Sequence, residues 1–88
     1  MEDKYSKLRG LLLEYDYPMV YPFKFILKDS DEKMIQVKRC FDETAEISVR
    51  KSSKGNFASI TIKQMMLNAD DIINRYKMLE GVEGLMSL

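Results

Sequence analysis

The fold is decided by residues 46–63, which read EISVRKSSKGNFASITIK. On both sides of the central Ser/Gly/Asn cluster, polar and apolar residues alternate, and β-branched side chains are frequent. Alternation with a period of two around turn-forming residues is typical of two half-buried strands that form a hairpin. Gly55 and Asn56 reach positive φ at little cost, as such a turn requires. The predicted inward-facing residues of this hairpin are Ile47, Val49, Ala58, Ile60 and Ile62.

The composition bounds the class of protein. A chain of 88 residues is one domain, near the size at which a single core becomes marginal. Lys+Arg and Asp+Glu number 14 each, so no net charge attracts nucleic acid or an anionic membrane. Cys40 is the single cysteine, which favours a reducing compartment, and the chain has neither a signal pattern at its start nor an apolar run of roughly 20 residues. We therefore predict one cytoplasmic domain, 1–88, with no membrane association.

Three segments are predicted upstream of the hairpin. Residues 3–15 carry apolar side chains at helical spacing and predict a short amphipathic helix. Residues 17–22 contain two Tyr-Pro steps, and because proline lacks a ladder donor, they are predicted to lead into a strand rather than belong to a central one. The first strand is predicted at 23–28. The predicted apolar stripe of the helix is Tyr5, Leu8, Leu11, Leu12 and Tyr15.

Two further helices and a last strand complete the pattern. One helix is predicted to begin with Asp29 as its N-cap and to run to about Glu43. The other is predicted to begin near Asn68 or Asp70 and to stop at Gly81, before a final strand within 82–88. The predicted buried residues of these helices are Met34, Val37, Cys40, Phe41, Ile72, Ile73, Tyr76 and Leu79.

The predicted order is a short N-terminal helix followed by β-α-β-β-α-β. This is the ferredoxin-like βαββαβ sandwich of the α+β class, with two helices on one face of a four-stranded antiparallel sheet. Right-handed crossovers place the first and third strands in the centre and the second and fourth at the edges.

The residues that carry most enzyme chemistry are missing. The sequence contains no histidine, which removes the commonest general base and the commonest metal ligand. Cys40 has no imidazole partner, and one thiol does not build a zinc or iron–sulfur site. The acidic residues at 29–32 and 70–71 are explained by helix N-termini. We therefore predict a protein that is not an enzyme, with no catalytic residue, cofactor or metal.

Two surfaces are candidates for binding. The helix-free face of the predicted sheet is basic and hydroxyl-rich, and an RNA-recognition module uses the same strand order, although this sequence lacks the spaced aromatic residues of its central strands. An ordinary open face or a dimer interface is therefore favoured over RNA. In the hairpin turn, backbone N–H groups around Gly55 are a candidate for a small anion-binding nest, but a tight hairpin needs the same residues for its geometry alone, and that interpretation is favoured. The candidate residues are Ser52, Ser53, Lys54, Gly55 and Asn56 in the turn, and Lys24, Lys28, Arg50, Phe57 and Lys63 on the face.

Several motifs together resemble a known family. They are SSKGNF at 52–57 followed by SITI at 59–62, LLLE at 11–14 before a Tyr-Pro step, and PFKF at 22–25. On these residues the chain resembles the YbeD-like family of small bacterial proteins of unknown function. The resemblance implies a ferredoxin-like fold similar to ACT regulatory domains, which bind small ligands, often amino acids, and pair side by side.

Three hypotheses for function follow. The first is a non-catalytic regulatory or adaptor domain that acts through protein binding, self-association included, or small-ligand binding. The second is RNA binding through the basic face, with affinity that falls steeply with salt. The third is a small-metabolite sensor, which a thermal shift with a ligand would reveal.

Overall fold

The computed structural model describes residues 4–28 and 30–87. Four strands form one sheet in which the second, third, first and fourth strands of the chain lie side by side in that order, and every neighbouring pair is antiparallel. The predicted ferredoxin-like architecture is confirmed, with the first and third strands in the centre. The elements are α1 (Ser6–Leu12), β1 (Met19–Lys28), α2 (Asp31–Lys38), β2 (Glu46–Lys51), β3 (Phe57–Met66), α3 (Ala69–Leu79) and β4 (Met86–Ser87).

The core lies on one face of the sheet. Alternate residues of β1 and β3 are buried there, and all three helices contribute side chains to the same cluster. Complete burial of one large apolar side chain stabilises the fold by about 1.5–3 kcal/mol, so this layer supplies most of the driving force. The largest fully buried side chains are Phe23, Phe25, Leu12, Leu27, Ile60, Ile62, Met66, Ile72, Ile73 and Val37.

Strand β1 is longer than the sequence predicts. It pairs with β3 from Met19 to Lys28, so the Tyr-Pro segment belongs to a central strand and the lead-in prediction is wrong. Pro22 is tolerated because the described residues of β4 pair with β1 at Phe25 and Ile26, away from Pro22. At Pro22, no described strand lies on that side of β1 to require its missing N–H.

Strand β2 is not buried on either face. Ile47 and Val49 pair with the buried Ile62 and Ile60, so they point to the core side of the sheet. The predicted inward orientation is therefore correct, but the side chains are 36% and 42% exposed and only partly covered. The cause is position, because β2 is the edge strand and the helices pack over β1 and β3 instead.

The first two helices are shorter than predicted. In α1, Leu12 is buried, but Leu11 and Tyr15 are 61% and 53% exposed, so only part of the predicted stripe faces the core. Helix α2 ends at Lys38 rather than at about Glu43. Its N-cap is Ser30, which accepts a hydrogen bond from the Lys33 N–H at 3.4 Å. The predicted cap Asp29 lies outside the described residues.

The C-terminal third follows the prediction more closely. Helix α3 begins after Asn68, whose side chain caps it by accepting from the Asp71 N–H at 2.9 Å. Ile72, Ile73 and Leu79 are buried as predicted, and the helix ends just before Glu80 and Gly81. Strand β4 covers only two residues of the predicted final strand. Within residues 4–28 and 30–87, no helix has the length and apolarity needed to cross a membrane.

Candidate functional site

The sheet face opposite the core gathers the predicted surface residues. The register places Arg50 opposite Ser59 and Ser59 opposite Ile26, with Lys28 opposite Phe57 in the next row. The other paired rows of this face bring together Ser48, Thr61 and Lys24, and Glu46, Lys63 and Pro22. The prediction that these residues share one face is therefore correct. Whether the face binds anything remains a prediction.

This face is basic although the whole chain is neutral. Lys24, Lys28, Arg50 and Lys63 are exposed, and none of them makes an ion pair with another described residue. Glu46 is the acidic residue of the paired rows, directly opposite Lys63. The compensating acids therefore lie elsewhere on the molecule.

Apolar side chains are interspersed with these charges. Phe57 is 47% exposed, and Ile26 is half-buried beside it on the neighbouring strand. Val20, Met65 and Met86 extend the apolar surface towards the two ends of β1, each about half exposed. Phe57 is the aromatic residue on the described part of this face, so consecutive bases would find no row of rings on which to stack.

The hairpin turn is organised by its own hydrogen bonds. Gly55 has φ +72° as predicted, whereas Asn56 does not adopt the positive φ that the sequence also suggested for it. The Gly55 N–H donates to the Ser52 carbonyl at 2.9 Å. The Ser52 N–H donates to the Phe57 carbonyl at 2.8 Å, and the Phe57 N–H donates to Ser52 Oγ at 3.2 Å. Three N–H groups are thus engaged within the turn. This geometry explains the Ser/Gly pattern by folding alone and gives the predicted anion nest no added support.

A cavity that the sequence does not predict lies on the core side, near β4. Its volume is about 410 Å³, and it opens between α1, α3, β1 and β4. Tyr21 and Tyr76 meet inside it, with their hydroxyl oxygens 3.1 Å apart. Burial, and then the hydrogen bond to Tyr76, raise the pKa of Tyr21, so this phenol stays protonated. The lining residues are Lys4, Tyr5, Leu8, Tyr21, Phe25, Tyr76, Leu79, Glu80, Leu85 and Ser87.

The cavity has a charged mouth. The Glu80 carboxylate is paired with the Lys4 ammonium and accepts a hydrogen bond from the Tyr5 hydroxyl. These contacts, that of Lys4 first, lower the pKa of Glu80 below its ordinary value, so the carboxylate is ionised at neutral pH. Lys4 Nζ also lies 5.3 Å from the centroid of the Tyr5 ring. Anionic and aromatic groups thus converge at one point of the surface.

Sequence reasoning missed this site because its residues look like ordinary core. The tyrosines occupy apolar stripes at strand and helix spacing, and Glu80 follows a helix end. The available signal was the phenol itself, because a half-buried tyrosine hydroxyl needs a partner. Three of the lining residues are tyrosines, and each finds its partner far along the chain.

A second polar cluster lies under the other end of the sheet. Gln64 is 5% exposed, and its amide donates to Asp42 Oδ2 at 2.6 Å. Arg75 donates to the Cys40 carbonyl and lies 5.3 Å from the Phe41 ring centroid. Cys40 is buried, which raises the pKa of its thiol and disfavours the reactive thiolate. These contacts hold the end of α2 against α3 and offer no paired nucleophile and base.

The acidic clusters have structural partners. Asp71 accepts from the Leu67 N–H at 3.0 Å, and Asp70 pairs with Arg9 at 3.3 Å. Over residues 4–28 and 30–87, no group of three or more potential metal ligands lies together. The interpretation of residues 70–71 as part of a helix N-terminus is therefore consistent with their contacts.

Comparison with known proteins identifies a family. Neither a characterised protein nor a solved structure shows significant similarity to the chain. One family model matches residues 13–88, from the end of α1 to the end of the chain, and it describes a protein of unknown function, DUF493. YbeD belongs to the same family, so the resemblance inferred from the hairpin and first-strand motifs is confirmed. The chain is therefore a member of the DUF493 family of proteins of unknown function.

Proposed function

We propose that the protein is a non-catalytic regulatory or adaptor module of the cytoplasm, and that it self-associates by pairing β2 with β2 of a second copy. The observation that carries this proposal is the exposure of Ile47 and Val49 on the core side of an edge strand. A six-residue edge with open hydrogen-bonding groups and two exposed β-branched side chains is a template for another strand.

The backbone of β2 is in the correct phase for this pairing. The Ser52 N–H donates to the Phe57 carbonyl, and hydrogen-bonded pairs alternate along an antiparallel ladder. Ser48 and Arg50 therefore bond to β3, whereas Ile47 and Val49 direct their N–H and C=O groups away from it. A second β2 strand would satisfy these outward groups.

One register matches the side chains as well. A two-fold axis through Ser48 places Ile47 opposite Val49 of the second copy and Glu46 opposite its Arg50. The apolar pairs then lie on the core side and the ion pairs on the open face. Each such cross-strand pair contributes roughly 0.2–1 kcal/mol, and every pair occurs twice in a symmetric dimer. The result is a continuous eight-stranded sheet.

The test is a charge reversal and its compensation. Arg50→Glu places two glutamates opposite each other and is expected to weaken the dimer about tenfold or more. The swap E46R/R50E restores opposite charges and is expected to recover wild-type association. Lys7→Glu, on α1, is the matched control and leaves association unchanged. Sedimentation equilibrium measures all four proteins.

Two results would contradict the proposal. One is a wild-type protein that stays monomeric up to about 1 mM, where even weak pairing is populated. The other is a swap variant that dimerises no better than Arg50→Glu, because the register through Ser48 predicts the compensation.

A second candidate function is nucleic-acid binding through the open face. The observation in its favour is the group of four exposed basic side chains without ion pairs among the described residues. Lys24 lies in the middle of this face, between the rows of Lys63 and Arg50. Phosphate contacts from such a face give affinity that depends steeply on salt.

Binding of a single-stranded RNA about 12 nucleotides long tests this candidate. Lys24→Glu is expected to abolish a complex formed at low salt, whereas Lys33→Glu, on α2, leaves it intact. Fluorescence anisotropy at two salt concentrations measures the effect. An absence of binding at about 20 mM salt would exclude this function without affecting the dimer.

A further inference from the structure

The cavity between α1, α3, β1 and β4 has the properties of a ligand site. Its volume of about 410 Å³ lies within the range of sites for small molecules, and apolar and aromatic side chains form its floor. Phe25 is 1% exposed, whereas Tyr21 and Tyr76 are half-buried and keep their rings accessible from the mouth. The polar groups are few: Lys4, Glu80 and the Tyr5 hydroxyl lie at the rim, and the Tyr21–Tyr76 hydroxyl pair lies inside. A few placed polar groups are how such sites orient a ligand.

The chain itself shows which chemical group fits the mouth. The ammonium of Lys4 lies against the Glu80 carboxylate and over the Tyr5 ring, at 5.3 Å from its centroid. A carboxylate beside an aromatic face is the arrangement that favours an organic cation. The Lys4 side chain is 67% exposed, so it lies at the solvent-facing rim of the cavity rather than buried inside it.

We propose that this cavity binds a small organic ammonium compound, with its ammonium on Glu80 and its apolar body against the accessible rings of Tyr21 and Tyr76. The ligand would displace the Lys4 ammonium and fill the space that Lys4 leaves empty. The ligand gains apolar contact that Lys4 lacks, while the carboxylate exchanges one ammonium for another.

The remaining groups of the cavity fit the same ligand. The Tyr5 hydroxyl donates to Glu80, which fixes the carboxylate, and the Tyr21–Tyr76 hydroxyl pair offers an oxygen lone pair deeper in the site. The site lies beside β4, at the opposite edge of the sheet from β2. Ligand binding here is therefore independent of the proposed dimer and of the basic face.

The experiment uses two probes of the same shape. These are 2-phenylethylamine, which is a cation at neutral pH, and 2-phenylethanol, which is neutral. For a fragment of about nine non-hydrogen atoms, we expect the amine to bind with a Kd of roughly 1 mM and the alcohol about tenfold more weakly. Nuclear magnetic resonance follows the amide signals of Leu8, Leu85 and Ser87 during the titration.

Variants of Glu80 and Lys4, each with a control variant outside the cavity, distinguish binding of the ammonium group at Glu80 from a general effect of net charge. Glu80→Gln keeps the shape and is expected to weaken the amine about tenfold, whereas Glu83→Gln, outside the cavity, has no effect. Lys4→Gln removes the ammonium paired with Glu80 and is expected to tighten the amine severalfold, although Lys77 Nζ stays 6.0 Å from the Tyr5 ring centroid. Lys33→Gln is expected to have no effect. Melting temperatures check that each variant is folded.

Three results would contradict the inference, two of them obtained with the wild-type protein. Equal affinities for the amine and the alcohol would show that the cavity does not select an ammonium group. No signal change at about 10 mM amine would exclude the site altogether. A Lys4→Gln variant with unchanged affinity would show that Lys4 does not occupy the ligand position.

Discussion

Strands β2 and β3 carry nearly the same alternation of polar and apolar residues, but their core-side residues differ in burial. In β3, Ala58, Ile60 and Ile62 are at most 1% exposed. In β2, Ile47 and Val49 point to the same side and pair directly with two of those residues, yet both remain more than one-third exposed. Alternation thus determines which face a side chain occupies. The neighbouring elements determine whether that face is covered.

The largest predicted difference in stability is between variants of two isoleucines that are paired on neighbouring strands, Ile62 on β3 and Ile47 on β2. Ile62→Ala removes a fully buried side chain from the centre and is expected to cost about 3–4 kcal/mol of unfolding free energy. Ile47→Ala on the edge is expected to cost less than about 1 kcal/mol in dilute protein. Urea denaturation measures both. Equal losses would show that β2 is packed as tightly as β3.

The next largest effect on stability is expected at Gln64, the buried polar residue of β3, which lies beyond the part of β3 that pairs with β2. Asp42→Ala leaves the Gln64 amide without its acceptor, and Gln64 Oε1 already has no partner among the described residues. We expect a loss of about 1–3 kcal/mol. Gln64→Met removes the polar groups altogether and is expected to lie within about 1 kcal/mol of wild type or above it. Urea denaturation of both variants separates the two cases, and an Asp42→Ala variant as stable as wild type would contradict the account.

A smaller effect on stability is expected in the hairpin turn that joins the edge strand β2 to the central strand β3. Gly55 has φ +72°, so Gly55→Ala is expected to destabilise the protein by about 1 kcal/mol through backbone strain. Gly10 lies in α1 with free space around its Cα, and Gly10→Ala is expected to stabilise by up to about 1 kcal/mol. Opposite signs in thermal denaturation support the turn assignment. A neutral Gly55→Ala would contradict it.

The smallest effect is a pH dependence in the loop before β2. Hydrogen bonds from Thr44, and a weaker one from Gln64, lower the pKa of Asp42 below 3.8. Since the folded pKa is the lower one, this contribution to stability is complete above the unfolded pKa and is lost as pH falls through the folded value. Thr44→Val is expected to raise the pKa of Asp42 towards 3.8 and to flatten the loss of stability below that pH. A carbon-detected titration of Asp42 measures the shift, and an unchanged pKa would contradict the assigned cause.

Local patterns predicted the parts of the fold that local chemistry controls. The hairpin follows from alternation around a turn that needs a glycine, and Gly55 adopts the expected positive φ. Helix α3 follows from Asn68 and the acidic residues after it. The open face follows because the period of two continues along paired strands, so Lys24 and Arg50 share one side.

The features that the sequence did not predict at Pro22, at Ile47 and at the cavity depend on which elements are neighbours in the fold. Proline at position 22 would disrupt β1 if strands paired with it on both sides, but the described residues of β4 pair with β1 at Phe25 and Ile26 instead. The exposure of Ile47 depends on where the helices pack. The cavity joins residues up to 75 positions apart, such as Tyr5 and Glu80, and no window of sequence brings them together.

The two-residue length of β4 has a kinetic consequence for the cavity. Leu85 and Ser87 form part of its wall, and among the described residues the C-terminal segment pairs with β1 at Phe25 and Ile26 alone. Detaching this segment would leave the ten paired residues of β1 and β3 intact. Its amide hydrogens should therefore exchange with solvent by fraying, at a free-energy cost far below that of global unfolding. A ligand bound in the cavity would contact Leu85 and Ser87 and would therefore slow the exchange of amide hydrogens in the C-terminal segment.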